Sequence, residues 1–71
     1  MAAHVVYRIR VRLLCVDRET RGFVQLEPGT IVTYVRSEDH QMVVLRLDGR
    51  EILAFAADFR DRAEVVGGAA G

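Results

Sequence analysis

Apolar and polar residues alternate in the first quarter of the chain. Over residues 5–16 one set of alternate positions is apolar and the other carries arginine, namely Tyr7, Ile9, Val11, Leu13 and Cys15 against Arg8, Arg10 and Arg12. A repeat of two is the pattern of a β-strand, whose successive side chains point to opposite faces, whereas a helix would scatter the arginines around its axis. The pattern therefore predicts one long strand with an apolar face and an arginine face.

Turn-forming residues divide the rest of the chain into short apolar segments. Pro28 and Gly29 fit the two central positions of a type II turn, and Asp48-Gly49 fits a two-residue hairpin in which both residues need positive φ. The segments 17–22 and 37–41 are polar and predict loops. Together these signals predict strands over residues 23–26, 30–36, 42–47 and 51–56.

The pattern changes after residue 56. Residues 57–62 are too few for an isolated helix and predict a single helical turn, followed by a last short strand over residues 63–66. The Gly- and Ala-rich residues 67–71 and the first four residues predict flexible ends. The folded domain is therefore expected to span residues 5–66.

Short strands separated by frequent turns are typical of small barrels. The five to six strands predicted here indicate an all-β fold that closes on itself. The layout resembles that of the SH3-like barrels, including the KOW-type modules: a long first strand, a polar loop, a Pro-Gly turn opening a strand, an Asp-Gly hairpin, and a helical turn before the final strand. Gly29 corresponds to the KOW-type glycine, but Glu27 stands where those modules carry basic residues. The resemblance implies the barrel and not ribosome or polymerase binding.

Composition narrows the choice of partners. The 71 residues make one domain, and 51% of them are hydrophobic, a large apolar load for so small an interior. Ten arginines, with no lysine, balance ten carboxylates, so nucleic acid or anionic lipid could be bound only by a local patch. No apolar run approaches ~20 residues, which argues against a membrane partner. The single Cys15 cannot form an internal disulfide, and a cytoplasmic location is expected.

The arginines are the first candidate contact surface. Guanidiniums at a spacing of two would stand ~6.5–7 Å apart on one strand face, a repeat that a nucleic-acid backbone or an acidic partner could follow. The candidate contact residues are Arg8, Arg10, Arg12, Arg36 and Arg46. The alternative is a solvated face on which the arginines pair with carboxylates across the sheet. Carboxylates available for such pairs are Asp39, Asp48 and Glu51.

Signals for catalysis or ligand binding are weak. Cys15 lies on the apolar side of the first strand, where inert packing is expected, and neither His4 nor His40 has a second His or Cys at metal-ligand spacing. The absence of Trp argues against recognition of proline-rich peptides. We predict no catalytic residue, cofactor or metal site. The segment 23–26 loosely resembles the pore strand of the plasmid-borne dihydrofolate reductases, which build one site from several SH3-like copies, so an oligomeric pore enzyme stays an alternative.

Self-association is the stronger expectation. The strands predicted at 30–36 and 51–56 are apolar on both faces, a pattern expected where both faces are covered, and a small barrel covers only its inner face by itself. We expect a homo-oligomer, most simply a dimer, with candidate contacts at Val32, Tyr34, Ile52 and Ala54. The sequence thus predicts a non-catalytic protein-interaction or scaffold module. Nucleic-acid binding through the arginines is the alternative.

Overall fold

Strands account for most of the chain. The computed structural model describes residues 4–68, and these form seven strands and one short helix. The elements are β1 (Val5–Ile9), β2 (Leu13–Asp17), β3 (Phe23–Leu26), β4 (Ile31–Glu38), β5 (Met42–Leu47), β6 (Arg50–Phe55), α1 (Ala56–Arg62) and β7 (Ala63–Gly68). The all-β prediction is confirmed, including the single helical segment near the C-terminus. Of the flexible ends predicted at residues 1–4 and 67–71, residues 1–3 and 69–71 lie outside the described residues, whereas residues 67 and 68 belong to β7, which continues two residues past the predicted end of the domain.

The single long first strand predicted over residues 5–16 is wrong. The chain bends between β1 and β2, where the N–H groups of Arg10 and Val11 both donate to the carbonyl of Arg62, at 2.7 and 3.2 Å. Ile9 and Leu13, on either side of the bend, are both buried. Because these two residues are four positions apart, the alternation keeps its phase through the bend, and a repeat of two cannot reveal it.

The bend curls the sheet, whose two edge strands β3 and β7 do not pair with each other. The strand order is β3-β2-β6-β5-β4-β1-β7, and every neighbouring pair is antiparallel. β1 and β2 follow each other in the chain yet lie four strand positions apart, which in a flat sheet would separate them by ~19 Å at ~4.8 Å per step. The chain from Ile9 to Leu13 reaches at most ~14 Å. The sheet must therefore curl, and the result is a small barrel.

Both turns predicted from dipeptides are confirmed. Gly29 has φ +97°, and the N–H of Thr30 donates to the carbonyl of Glu27 at 3.1 Å, which closes the Pro-Gly turn. Asp48 and Gly49 have φ +51° and +80°, as a two-residue hairpin between β5 and β6 requires. These turns depend on local backbone preferences, which is why the dipeptides alone predict them.

The core fills the inside of the barrel. Its buried members are Ile9, Leu13, Cys15, Leu26, Val32, Val43, Leu45, Ile52, Ala54 and Phe59. Three of the four residues predicted for self-association, Val32, Ile52 and Ala54, belong to this core, and Tyr34 is half-buried against it. Their assignment to an outer surface is wrong, because alternation in a strand that is apolar on both sides does not say which side faces inward.

Candidate interaction face

The predicted arginine row does not form. The bend leaves Arg8 on β1 and places Arg10 and Arg12 between the two strands. Arg8 donates two hydrogen bonds to Glu64 on β7, at 2.7 and 2.9 Å, and Arg12 lies 3.4 Å from Glu27. Among the described residues, Arg10 makes no ion pair.

The other two candidate arginines lie in a charge network on the outside of β4, β5 and β6. Arg36 lies 3.5 Å from Glu38, and Arg46 lies 3.6 Å from Glu51. Arg18 joins the two pairs, at 3.0 Å from Glu38 and 3.8 Å from Glu51. Each of these is a partly exposed surface pair, worth ~0–1 kcal/mol. Four of the five candidate arginines are therefore paired with a glutamate, and this pairing weakens their electrostatic attraction for phosphate groups.

Of the three carboxylates predicted as cross-strand partners, the structure places one in that role. Glu51 pairs with Arg46 directly across β5 and β6. Asp39 and Asp48 lie in turns instead, with φ +45° and +51°. Short carboxylate side chains tolerate the left-handed conformation, so turn geometry decides these two positions.

Asp17 is the one buried charged side chain among residues 4–68. The sequence pattern predicted it as the start of the polar loop 17–22, whereas it is the last residue of β2. Its side chain is 1% exposed and accepts hydrogen bonds from the N–H groups of Thr20 and Glu19 and from the guanidinium of Arg50. These bonds, those from the backbone first, lower the pKa of the Asp17 carboxyl. The signal that could have found it is an Asp opening a polar loop, where its side chain can bond to N–H groups two or three residues on.

Most charged groups of the polar cleft beside Asp17 are already paired with one another. The cleft encloses about 400 Å³ and is lined mainly by charged side chains, including Arg46, Arg50 and Glu51. The carboxylate of Asp17 is already occupied by three donors, and Glu51 is paired with Arg46 and Arg18. This arrangement anchors the loop after β2 to β6, and of the carboxylates that line the cleft only Glu19 makes no ion pair among residues 4–68.

Cys15 and the histidines offer no reactive centre in the described residues. Cys15 is buried in the core, as the alternation predicts, and burial raises the pKa of its thiol to about 12. A neutral buried thiol is a poor nucleophile. Within residues 4–68 no three His, Cys, Asp or Glu side chains lie close enough together to hold a metal ion.

Three aromatic rings pack together at the core. The ring centroid of Tyr7 lies 4.7 Å from that of Phe59 and 6.2 Å from that of Tyr34. The hydroxyl of Tyr34 lies 2.6 Å from that of Ser37, and the cleft beside them encloses about 350 Å³. The packing of these rings against α1 makes them part of the core, whereas the remaining rings, Phe23 and Phe55, are on the outside.

A row of apolar side chains crosses the outside of the sheet. Phe23 on β3 lies opposite Val16 on β2, and Val16 lies opposite Leu53 on β6. Opposite residues of an antiparallel pair share one face. Phe23 is 77% exposed, and the flanking Leu14 and Phe55 are 53% and 56% exposed. We call this surface the outer apolar face; its members are Leu14, Val16, Phe23, Leu53 and Phe55.

The outer apolar face is the complement of the surface predicted from the sequence. The sequence pattern predicted Ile52 and Ala54 of β6 as the outward-facing contact residues. In the structure these two are buried, and Leu53 and Phe55 are the residues of β6 that face outward. Phe23 and Leu14 were not singled out, although each belongs to a strand with apolar residues in both phases. Burial of one phase and exposure of the other is fixed only when the sheet curls.

The chain matches no protein-family model, no curated protein sequence and no solved structure. No helix among residues 4–68 has the length and apolar character needed to cross a membrane. The resemblance of the chain to SH3-like barrels therefore rests on the layout of its strands and turns alone. A function has to be inferred from the geometry of the outer apolar face.

Proposed function

We propose that this chain is a small non-catalytic interaction module that self-associates through the outer apolar face. The observation that carries the proposal is Phe23, an aromatic side chain 77% exposed at the end of an unbroken row with Val16 and Leu53. Single exposed apolar residues are ordinary, but a contiguous row flanked by Leu14 and Phe55 is typical of an interface. Aromatic residues are also enriched at the centres of such contacts.

The apolar side chains alone favour weak association. Full burial of a Leu or Phe side chain contributes ~1.5–3 kcal/mol, so burying the exposed parts of Leu14, Phe23 and Phe55 in both copies of a dimer supplies roughly 6–11 kcal/mol. Bringing two molecules together costs ~4–15 kcal/mol. Stable pairing at micromolar concentration, which needs ~8 kcal/mol net, therefore requires further contacts beside this face.

The ion pairs weigh against the nucleic-acid alternative. Binding to phosphate releases counterions in proportion to the free cations engaged. Here Arg8, Arg12, Arg36 and Arg46 each lie within 4 Å of a glutamate, and the chain as a whole has zero net charge. Catalysis is also disfavoured by the high pKa of Cys15 and by the occupied carboxylate of Asp17. A reducing compartment, which we propose to be the cytoplasm, suits the unbridged Cys15.

Analytical ultracentrifugation tests the proposal. Sedimentation is measured from ~1 to ~300 μM, a range that brackets micromolar dissociation constants. Wild type should shift from monomer to a larger species. Phe23→Ser and Phe55→Ser should shift only at higher concentration, by about tenfold or more. The matched control is Val65→Ser, which removes a side chain that is 60% exposed but lies on β7, at the other end of the strand order from β3.

Two outcomes contradict the proposal. Wild type sedimenting with monomer mass over the whole range removes self-association. Binding of a DNA or RNA oligonucleotide that weakens steeply with salt and with Arg36→Ala or Arg46→Ala would favour the nucleic-acid function instead. Binding that is absent at every salt concentration supports the interaction module.

A further inference from the structure

β3 is an open edge of the sheet, and its hydrogen-bonding groups can be assigned. β3 pairs with β2 on one side and ends the strand order on the other. The N–H of Asp17 donates to the carbonyl of Gly22 at 2.8 Å, which marks that pair as hydrogen-bonded. In an antiparallel ladder hydrogen-bonded pairs recur at every second residue, so Val24 bonds to Cys15. The N–H and C=O groups of Phe23 and Gln25 therefore point to the open edge.

This edge lacks most of the features that protect edge strands. Natural sheets block their edges with Pro, Lys, inward charges or bulges. The segment Phe23–Leu26 contains none of these residues and is protected only by being short. The opposite edge differs, because the pairing of β7 with β1 shifts register between Val6 and Tyr7. Of the two edges in the described residues, β3 is the less protected one.

We propose that β3 pairs with β3 of a second copy of this chain, antiparallel, about a two-fold axis through Val24, so that Phe23 lies opposite Gln25 of the other copy. This inference rests on the proposed self-association and specifies its geometry. A second copy is the occupant that a two-fold axis allows, since the same surface then meets itself. The pairing joins the two barrels edge to edge.

The register follows from the open groups. Three registers would bring outward-pointing groups together: Phe23 opposite Phe23, Phe23 opposite Gln25, or Gln25 opposite Gln25. In the second, each copy uses both of its open N–H groups and both of its open C=O groups, all within β3, and four hydrogen bonds form. In each of the other two registers, only one residue of each β3 strand forms hydrogen bonds with the other β3 strand.

The charges flanking β3 favour the same register. Counted along the chain beyond both ends of β3, it sets Arg21 of each copy, which precedes the strand with φ +65°, near Glu27 of the other. Among the described residues Arg21 makes no ion pair, and Glu27 has only the loose contact with Arg12 at 3.4 Å. The two other registers bring Arg21 opposite Gln25, or Phe23 opposite Glu27. Only the proposed register matches opposite charges at both ends of the joined strands.

The two outer apolar faces would then form one surface. An axis perpendicular to the sheet keeps both outer faces on the same side, so Phe23 of one copy lies diagonally across from Phe23 of the other. Diagonal neighbours are ~7–8 Å apart, within reach of aromatic side chains. Backbone hydrogen bonds and ring contacts together supply the additional contacts that the apolar face alone lacks.

Disulfide trapping tests the register. Phe23→Cys and Gln25→Cys are oxidised separately and as a mixture, and the products are separated by mass. Directly opposite residues have Cα atoms ~5.5 Å apart, within disulfide range, whereas diagonal ones lie beyond it. The mixed disulfide should form well above the share given by random pairing, and either homodimer should stay minor. Cys15 is buried and does not compete. A dominant homodimer of either variant overturns the register.

A second test removes one open N–H. Gln25→Pro deletes a donor that faces the open edge and leaves the bonds to β2 in place, whereas Gln25→Ala keeps the donor and serves as control. Gln25→Pro should weaken association by about tenfold or more, with Gln25→Ala close to wild type. In wild type, hydrogen exchange at the amides of Phe23 and Gln25 should slow as concentration rises, with no such change at Val24.

The outcomes separate the two proposals. If wild type self-associates while the amides of Phe23 and Gln25 exchange freely and the mixed disulfide is absent, the β3 pairing is wrong and the interaction module stands. If wild type stays monomeric at every concentration, both are wrong. If Gln25→Pro fails to fold, the disulfide yields and the exchange rates decide.

Discussion

Ile52→Ala distinguishes a core position from a surface one on the same strand. Ile52 is 2% exposed and lies opposite Leu45, which is completely buried. Truncating a buried Ile to Ala costs ~2–5 kcal/mol, because the apolar contact is lost and the cavity is only partly refilled. A domain of this length has a total free energy of unfolding of roughly 4–11 kcal/mol at ~0.05–0.15 kcal/mol per residue. At the middle of both ranges the substitution therefore removes about half of the stability.

Urea unfolding followed by circular dichroism measures the effect. The midpoint should fall by more than ~1 M, since m-values of small domains are ~1–3 kcal/mol/M. Thermal unfolding should show a fall in Tm of roughly 10–30 °C. Both shifts should be the same at low and high protein concentration, because a core defect acts within one molecule.

Leu53→Ala is the matched control. Leu53 is the next residue of β6, points outward and is half-buried, so its truncation should cost ~1 kcal/mol or less and act mainly on self-association. The reasoning is refuted if Ile52→Ala changes stability by less than ~0.5 kcal/mol while Leu53→Ala unfolds the domain. That result would exchange the inner and outer sides of β6.

Three further perturbations follow from single observations. The pKa of the Asp17 carboxyl is lowered in the folded chain, so its contribution to stability is complete above the unfolded pKa of ~3.9 and is lost as pH falls through the folded pKa. When Tm is measured from pH 6 to pH 2, the Asp17→Asn variant should start from a lower Tm than wild type and lose less of it on acidification. Parallel Tm curves for the two proteins would contradict this. Gly49 has φ +80° with open space around it, so Gly49→Ala should cost ~1 kcal/mol in urea unfolding through backbone strain alone, against no measurable cost for Gly67→Ala. Arg21→Glu should weaken self-association in sedimentation, and adding Glu27→Arg should restore it; a double variant as weak as the single one would speak against the flanking charge pairs.

Local chemistry made much of the fold predictable. The Pro28-Gly29 and Asp48-Gly49 turns depend on φ preferences that each residue carries wherever it stands, and the structure contains both. Alternation likewise marked the strands and the burial of Ile9, Leu13 and Cys15. These features need no knowledge of distant residues, which is why the all-β class could be read from the pattern.

The candidate site could not be predicted in the same way, because it depends on contacts between residues that are far apart in the chain. The arginine row was a property of one straight strand, and the bend that divides it is held by the carbonyl of Arg62, some fifty residues away in the chain. The pairing of Arg8 with Glu64 depends on β7 returning beside β1. The sequence shows which residues are charged, but the order of the strands in the sheet determines which carboxylate lies next to each arginine.

The sequence by itself determined that this chain forms short strands joined by specific turns, because side-chain alternation and turn geometry are set by neighbouring residues. Only the tertiary structure decided which phase of each doubly apolar strand faces inward. Ile52 and Ala54 are core while Leu53 and Phe55 are surface because the sheet curls to let β1 and β2 meet within four residues, and the direction of that curl is a property of the whole sheet.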